Sequence, residues 1–137
     1  TLVAPDFVAS GVSGSAIGGY GSAAQAQLRV YNSIVQGSCA NGLVLDHAEG
    51  SISTGGDSCL FDAATNHVHA TAAQLALGAL ADHGGSTRTY LPATNSNTID
   101  AGTAYGCLGA TTDQRGYARR SGSACDAGSV EVGSAAP

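Results

Sequence analysis

Two cysteines, Cys107 and Cys125, bracket a glycine-rich loop carrying Asp113, Gln114 and the chain's densest arginine cluster, Arg115, Arg119 and Arg120. The surrounding stretch runs from Thr98-Ile-Asp-Ala-Gly102 to Ser129-Val-Glu-Val132. It concentrates charge and cross-linking potential where large apolar side chains are scarce. Such a segment is held by staples and ion pairs more than by a hydrophobic core. Its residues do not make a recognisable catalytic set.

Scarcity of bulk extends to the whole chain. Twenty of 137 residues are glycine, methionine and tryptophan are absent, and only two phenylalanines occur. A thick core is hard to build from these residues, whereas a thin one repeated along an axis, with small residues at the corners, is not. That composition suits a solenoid or a β-rich secreted domain better than a helical bundle. Five arginines against ten acidic residues give a net charge of −5, with no lysine at all. No basic stripe is present for nucleic acid, since Arg115 to Arg120 sit between Asp113 and Asp126. No apolar run approaches the roughly 20 residues that span a bilayer. Thr1 begins in mid-pattern, which reads as the start of a processed piece with its leader upstream. Its amine and hydroxyl recommend it as an N-terminal nucleophile only if a supporting constellation follows, and none does.

The four cysteines, Cys39, Cys59, Cys107 and Cys125, allow three connectivities and match no zinc-ligand spacing. Even number and wide spacing favour disulfides in an oxidising compartment over reduced buried thiols. Sequence neighbours close the cheapest loops, so Cys39–Cys59 and Cys107–Cys125 are the expected pairs. Each closes a loop of about 20 residues, worth ~3 kcal/mol in the chain-entropy treatment.

Residues 1–27 read as one or two short strands around a Gly/Ser/Ala-rich turn. In Gln27 to Gly37, Leu28, Val30, Asn32 and Ile34 alternate with Arg29, Tyr31, Ser33 and Val35, which predicts a strand. Asn32 falls on the apolar parity, where asparagines of successive coils can stack into a ladder. Val30, Val44, Ile52 and Phe61 mark apolar strand centres 14, 8 and 9 residues apart, spacings that suit sides of successive coils. Thr71 to Asp82 reads as extended through the alternation of Leu75 and Leu77, with a short helix as the competing reading. Thr87 to Leu91, ended by Pro92, and Val130 to Val132 are the remaining predicted strands.

Leu77-Gly-Ala-Leu-Ala-Asp-His-Gly-Gly-Ser-Thr-Arg-Thr89, Thr98-Ile-Asp-Ala-Gly102, Cys107, Thr112-Asp-Gln-Arg-Gly-Tyr117, Arg119 and Cys125-Asp-Ala-Gly-Ser-Val-Glu131 together resemble the C-terminal end of the choice-of-anchor Q family. The resemblance covers about residues 28–132. It departs at Arg119-Arg120, where the family usually reads Arg-Pro, and at Ala93-Thr-Asn-Ser-Asn97, where it usually reads Gly-Ser-Pro-Ala. The resemblance implies a bacterial exported protein, an all-β right-handed parallel β-helix (a solenoid), and no common reaction. It implies further that many coils lie upstream. Residues 1–97 would then be β-helix coils with an open N-terminal end, 98–132 a loop-rich disulfide-stapled cap, and 133–137 a flexible tail. An open coil exposes strand edges, so residues 1–30 are expected to contact another polypeptide, either the upstream segment or a neighbouring copy.

Candidate chemistry is thin. Glycan-cleaving enzymes need paired carboxylates, but Asp46, Asp57, Asp62, Asp82, Asp100, Asp113 and Asp126 are scattered, and turn-capping fits their neighbours. His67-Val-His69 would share one face of a strand, with Asp62 near, but lacks an evident third ligand, so no metal or other cofactor is expected. Calcium through Asp57 or Asp62 and turn carbonyls is equally unsupported. Arg115 instead presents a five-donor fork suited to tying an irregular loop together, with Asp100, Asp113 or Asp126 as counter-ion. Asp113, Gln114, Arg115, Gly116 and Asp126 are accordingly read as a structural cap. The expected protein is a secreted or cell-surface module for adhesion, matrix or filament assembly, or display, with a glycan as another candidate partner. The alternative is the C-terminal part of a carbohydrate-active enzyme, a lyase or hydrolase, whose catalytic coils lie upstream.

Overall fold

A computed structural model describes residues 28–39, 45–54, 56–107 and 109–136. The strands expected in residues 1–27, Val44, and most of the contact region at 1–30 lie outside the described residues. The predicted strand at 27–37 is broken in two, β1 (Leu28–Tyr31) and β2 (Ile34–Val35), because Asn32 takes a left-handed backbone (φ 46°). Asparagine tolerates that region better than most residues. β3 (Leu45–Glu49) and β4 (Ile52–Ser53) are divided in the same way by Gly50 (φ 63°). β1 pairs with β3 and β2 with β4, both parallel, with Arg29 opposite His47 and Ile34 opposite Ile52. Ile52 is also bridged in parallel to His67.

β2 separates two small cores. Successive strand residues face opposite sides, so Val35 joins Val30, Cys39, Ala48, Cys59 and Phe61, whereas Ile34 joins Ile52, Ala70, Leu75 and Ala127. The second cluster is where the closing segment, through Ala127, seats on the early strands.

The expected right-handed parallel β-helix is not what the described residues form. They form three sheets of two strands each, two parallel and one antiparallel, and no solenoid. The parallel stacking stops after Ala70, for local reasons. The Thr71 hydroxyl accepts from the Gln74 N–H while the Gln74 side chain accepts from the Thr71 N–H, a reciprocal cap that starts the one-turn helix α1 (Ala72–Leu75). Ala76, left-handed at φ 45°, ends it. β5 (Leu77–Ala81) follows, and Gly84 and Gly85, both at positive φ, return the chain as β6 (Thr89–Pro92) antiparallel to β5. A solenoid requires the next strand to run parallel. Beyond a final one-turn helix, α2 (Ala104–Cys107), the chain is loop, and Val130 to Val132 is not a strand. Residues 71–82 therefore realise both competing readings in series.

Candidate functional site

The structure joins Cys39 to Cys59 and Cys107 to Cys125, the two pairs closest in sequence, with Cα separations of 4.8 and 6.0 Å. The first lies in one core. The second bounds the closing loop and receives the Asn32 side chain, whose Nδ2 lies 3.1 Å from Cys125 Sγ and 3.5 Å from Cys107 Sγ. No asparagine ladder forms on Asn32. Its Nδ2 donates to the Thr103 carbonyl and its Oδ1 accepts from the Thr103 N–H, while its own carbonyl accepts from the Gly128 N–H. The side chain thus crosses from the early strands to the closing segment. Gly50, on the neighbouring corner, must be glycine because a Cβ there would lie 2.4 Å from Asn32 Oδ1. Gly102 faces the same constraint, with Cys125 O at 2.7 Å from its would-be Cβ.

A closing loop without a strand ladder still has backbone N–H groups to satisfy, and here carboxylates take them. Asp113 Oδ1 accepts from the N–H groups of Arg115 (2.8 Å) and Tyr117 (3.1 Å), and its Oδ2 from the Glu131 N–H (3.0 Å). The same oxygen receives Arg115 Nε at 2.9 Å and Nη2 at 2.7 Å, and Nη2 also donates to the Glu131 carbonyl. The Arg115 guanidinium lies over the Tyr117 ring, 4.3 Å from its centroid. Gly116, at φ 83°, completes the turn, and its N–H donates to the Asp113 carbonyl. Gln114 ties this turn outward: its backbone N–H reaches the Ser129 carbonyl and its Nε2 the Thr87 hydroxyl. Asp126 Oδ1 accepts from the Asp100 N–H and Oδ2 from the Val132 N–H. The five residues predicted to form the cap are therefore all in one hydrogen-bonded region, and Arg115 takes Asp113 as its counter-ion.

Two residues central to that region were not in the predicted set. Arg119, 3% exposed, donates to Glu131 Oε2 and to the carbonyls of Asp126 and Gly128. Glu131, fully buried, also accepts from the N–H groups of Ser121 and Asp126. Its position between Val130 and Val132 places it within the expected final strand. The signal that marks it out is its place in the motif Cys125 to Glu131. Burial pushes the carboxyl groups of both Asp126 and Glu131 above their ordinary values, against the lowering effect of the N–H groups that each accepts. Docked onto this region is the β5–β6 loop: a Cβ on Gly85 would lie 2.6 Å from Arg115 Cα, so the hairpin meets the turn backbone to backbone.

Neither of two surface clefts opens onto this charge cluster. One, of about 190 Å³, lies between the β5–β6 hairpin and residues 127–130, and touches the predicted cap only at Gln114. The other, of about 270 Å³, runs along Gly50 to Ile52 and Ala64 to His67. His67 and His69 are both exposed, and a left-handed His69 (φ 58°) bends the chain so that the pair does not share a strand. Among the described residues no three His, Cys, Asp or Glu side chains are placed to hold a metal ion, and no helix is long and apolar enough to cross a membrane. The two disulfides are compatible with an extracellular, oxidising location. In comparisons with known proteins, no family model matches the chain, and neither does a curated protein or a solved structure.

Proposed function

We propose that the chain is a non-catalytic structural or surface module of an exported protein, serving adhesion, matrix or filament assembly, or display. The carrying observation is that its buried charges are turned onto one another and onto the backbone, with only the Arg119 Nε lacking a partner among those of the described residues. Asp113, Asp126 and Glu131 each accept backbone N–H groups, and Arg115 and Arg119 each bridge a carboxylate to a carbonyl. A general acid or base must reach substrate with a proton to give or take. Carboxylates held by two or more donors away from a cleft serve as replacements for a missing sheet ladder. Two disulfides in a chain of small residues support export, as does the likeness of the closing motifs to the choice-of-anchor Q family. In this reading residues 1–30 meet another polypeptide, and sedimentation of the purified chain as a stable monomer with nothing associated would remove that part.

The test is substitution within the cluster. Arg115→Lys loses the paired Nε and Nη2 bonds to Asp113 Oδ2 and the reach to Glu131, so the melting temperature falls, by roughly 2–8 °C for each 1 kcal/mol lost, the range spanned by domains of about 60–250 residues. An unchanged melting temperature combined with altered glycan binding or turnover would replace the structural reading with a functional site.

A further inference from the structure

We infer that the cleft between the β5–β6 hairpin and the closing loop binds a carboxylated saccharide residue. Leu77, Leu80, Tyr90 and Pro92 supply apolar lining, and Arg88 and Gln114 polar lining. Arg88 is the telling residue. The other four arginines are all engaged within the protein: Arg29 with Asp46, Arg115 with Asp113, Arg119 with Glu131, and Arg120 with the Ser123 carbonyl. Arg88 alone is exposed with no acceptor among the described residues, in a chain that has no lysine and a net charge of −5. A guanidinium left open on a cleft wall offers a planar two-donor edge to a carboxylate.

The rest of the cleft narrows the class. Its volume of about 190 Å³ is below the roughly 300–1,000 Å³ of pockets for drug-sized ligands, so it holds one ring. Leu80 is 48% exposed, an apolar surface left open beside the arginine. Gln114 is fixed by its Nε2 bond to Thr87 Oγ1, and its amide oxygen accepts from nothing among the described residues. A uronate ring matches all three: a C–H face for Leu80 and Tyr90, a hydroxyl for the Gln114 oxygen, and a carboxylate for Arg88. A peptide carboxylate has the charge without the hydroxyl edge. The inference deepens the surface-module reading and rests on it for a glycan-rich setting. Its failure would leave the melting test of the charge cluster untouched, so the two fail separately.

The experiment is a titration of the disulfide-intact chain, followed by amide and side-chain NMR and by calorimetry. The ligands are an oligogalacturonate, a neutral gluco-oligosaccharide, benzoate and an acidic peptide. The expected result is that oligogalacturonate shifts the resonances of Arg88, Tyr90 and Gln114 and binds best of the four. Arg88→Gln should weaken it by roughly ten- to a hundredfold, the range of a charged hydrogen bond, with the unfolding midpoint unchanged. Gln114→Ala should weaken both saccharides and not benzoate. Absence of binding, shifts centred on other arginines, or an Arg88→Gln variant that binds as well as the parent would overturn the site. Benzoate or the peptide binding as tightly as the uronate would overturn the saccharide assignment.

Discussion

Replacing Arg119 by leucine keeps most of the side chain's apolar bulk and removes its three hydrogen bonds. Glu131, buried to the same degree, loses its counter-ion, and the Asp126 and Gly128 carbonyls lose their donor. Breaking a buried ion pair by deleting one partner costs about 3–5 kcal/mol. Each carbonyl left bare adds up to ~1–3 kcal/mol, an amount that local rearrangement and entering water reduce, so a loss of about 4 kcal/mol is expected. That is a large fraction of the 5–15 kcal/mol typical of native domains. The assay is urea unfolding of the oxidised protein, read as a change in midpoint at constant slope. Arg120→Leu is the control, since Arg120 is exposed and makes one bond, to the Ser123 carbonyl; it should stay within about 0.5 kcal/mol of the parent. Acidification should recover part of the Arg119→Leu loss, because a proton on Glu131 removes the unpaired charge. If Arg119→Leu unfolds within the error of Arg120→Leu, the buried brace contributes nothing and the reasoning is wrong.

A pH dependence follows from the raised carboxyl groups of Asp126 and Glu131. The folded state holds their protons more tightly than the unfolded chain, so their charged forms cost stability at neutral pH. That cost is relieved as pH falls from above the raised folded values towards the ordinary carboxylate value. Unfolding midpoints measured across that window should fall more steeply with rising pH in the parent than in Glu131→Gln, and equal slopes would refute the claim. Replacing Cys39 and Cys59 together by alanine opens a loop with a sequence separation of 20. It should cost about 3 kcal/mol, read against the parent in the same urea assay, and a loss under about 1 kcal/mol would show that the unfolded chain gains little freedom.

Neighbouring cysteines and apolar parity carried much of the sequence reading. The closest cysteines are the bonded ones, but the parity holds only as far as the left-handed Asn32: Val30 packs with Val35 in one core and Ile34 belongs to the other. The course after Ala70 was harder to see. The capping signature Thr71 to Gln74 was present in the sequence, but Leu75 and Leu77 alternate as a strand would, and only the left-handed Ala76 separates helix from strand. Gly84-Gly85 announced a turn without saying that it would reverse the chain and so end the parallel stacking. Nothing in the local pattern Val130-Glu-Val132, read as a strand, marks Glu131 as buried. Its burial is set by Ser121 and Asp126, whose N–H groups converge on it from elsewhere in the loop, and by Arg119. For Arg115 the sequence left Asp100, Asp113 and Asp126 open as counter-ions, and the fold brings it to Asp113.

Native-state hydrogen exchange on the closing segment tests most directly whether carboxylates there do the work of a strand ladder. The amides of Tyr117, Ser121, Asp126, Glu131 and Val132 donate to carboxylate oxygens, whereas those of Ile52, Ser53 and Thr54 donate to backbone carbonyls of neighbouring strands and turns. The two groups should exchange with comparable protection, and the first should lose it in Asp113→Ala or Arg119→Leu while the second keeps it. Fast, loop-like exchange at Asp126, Glu131 and Val132 in the parent protein would contradict the structural role assigned to the cluster.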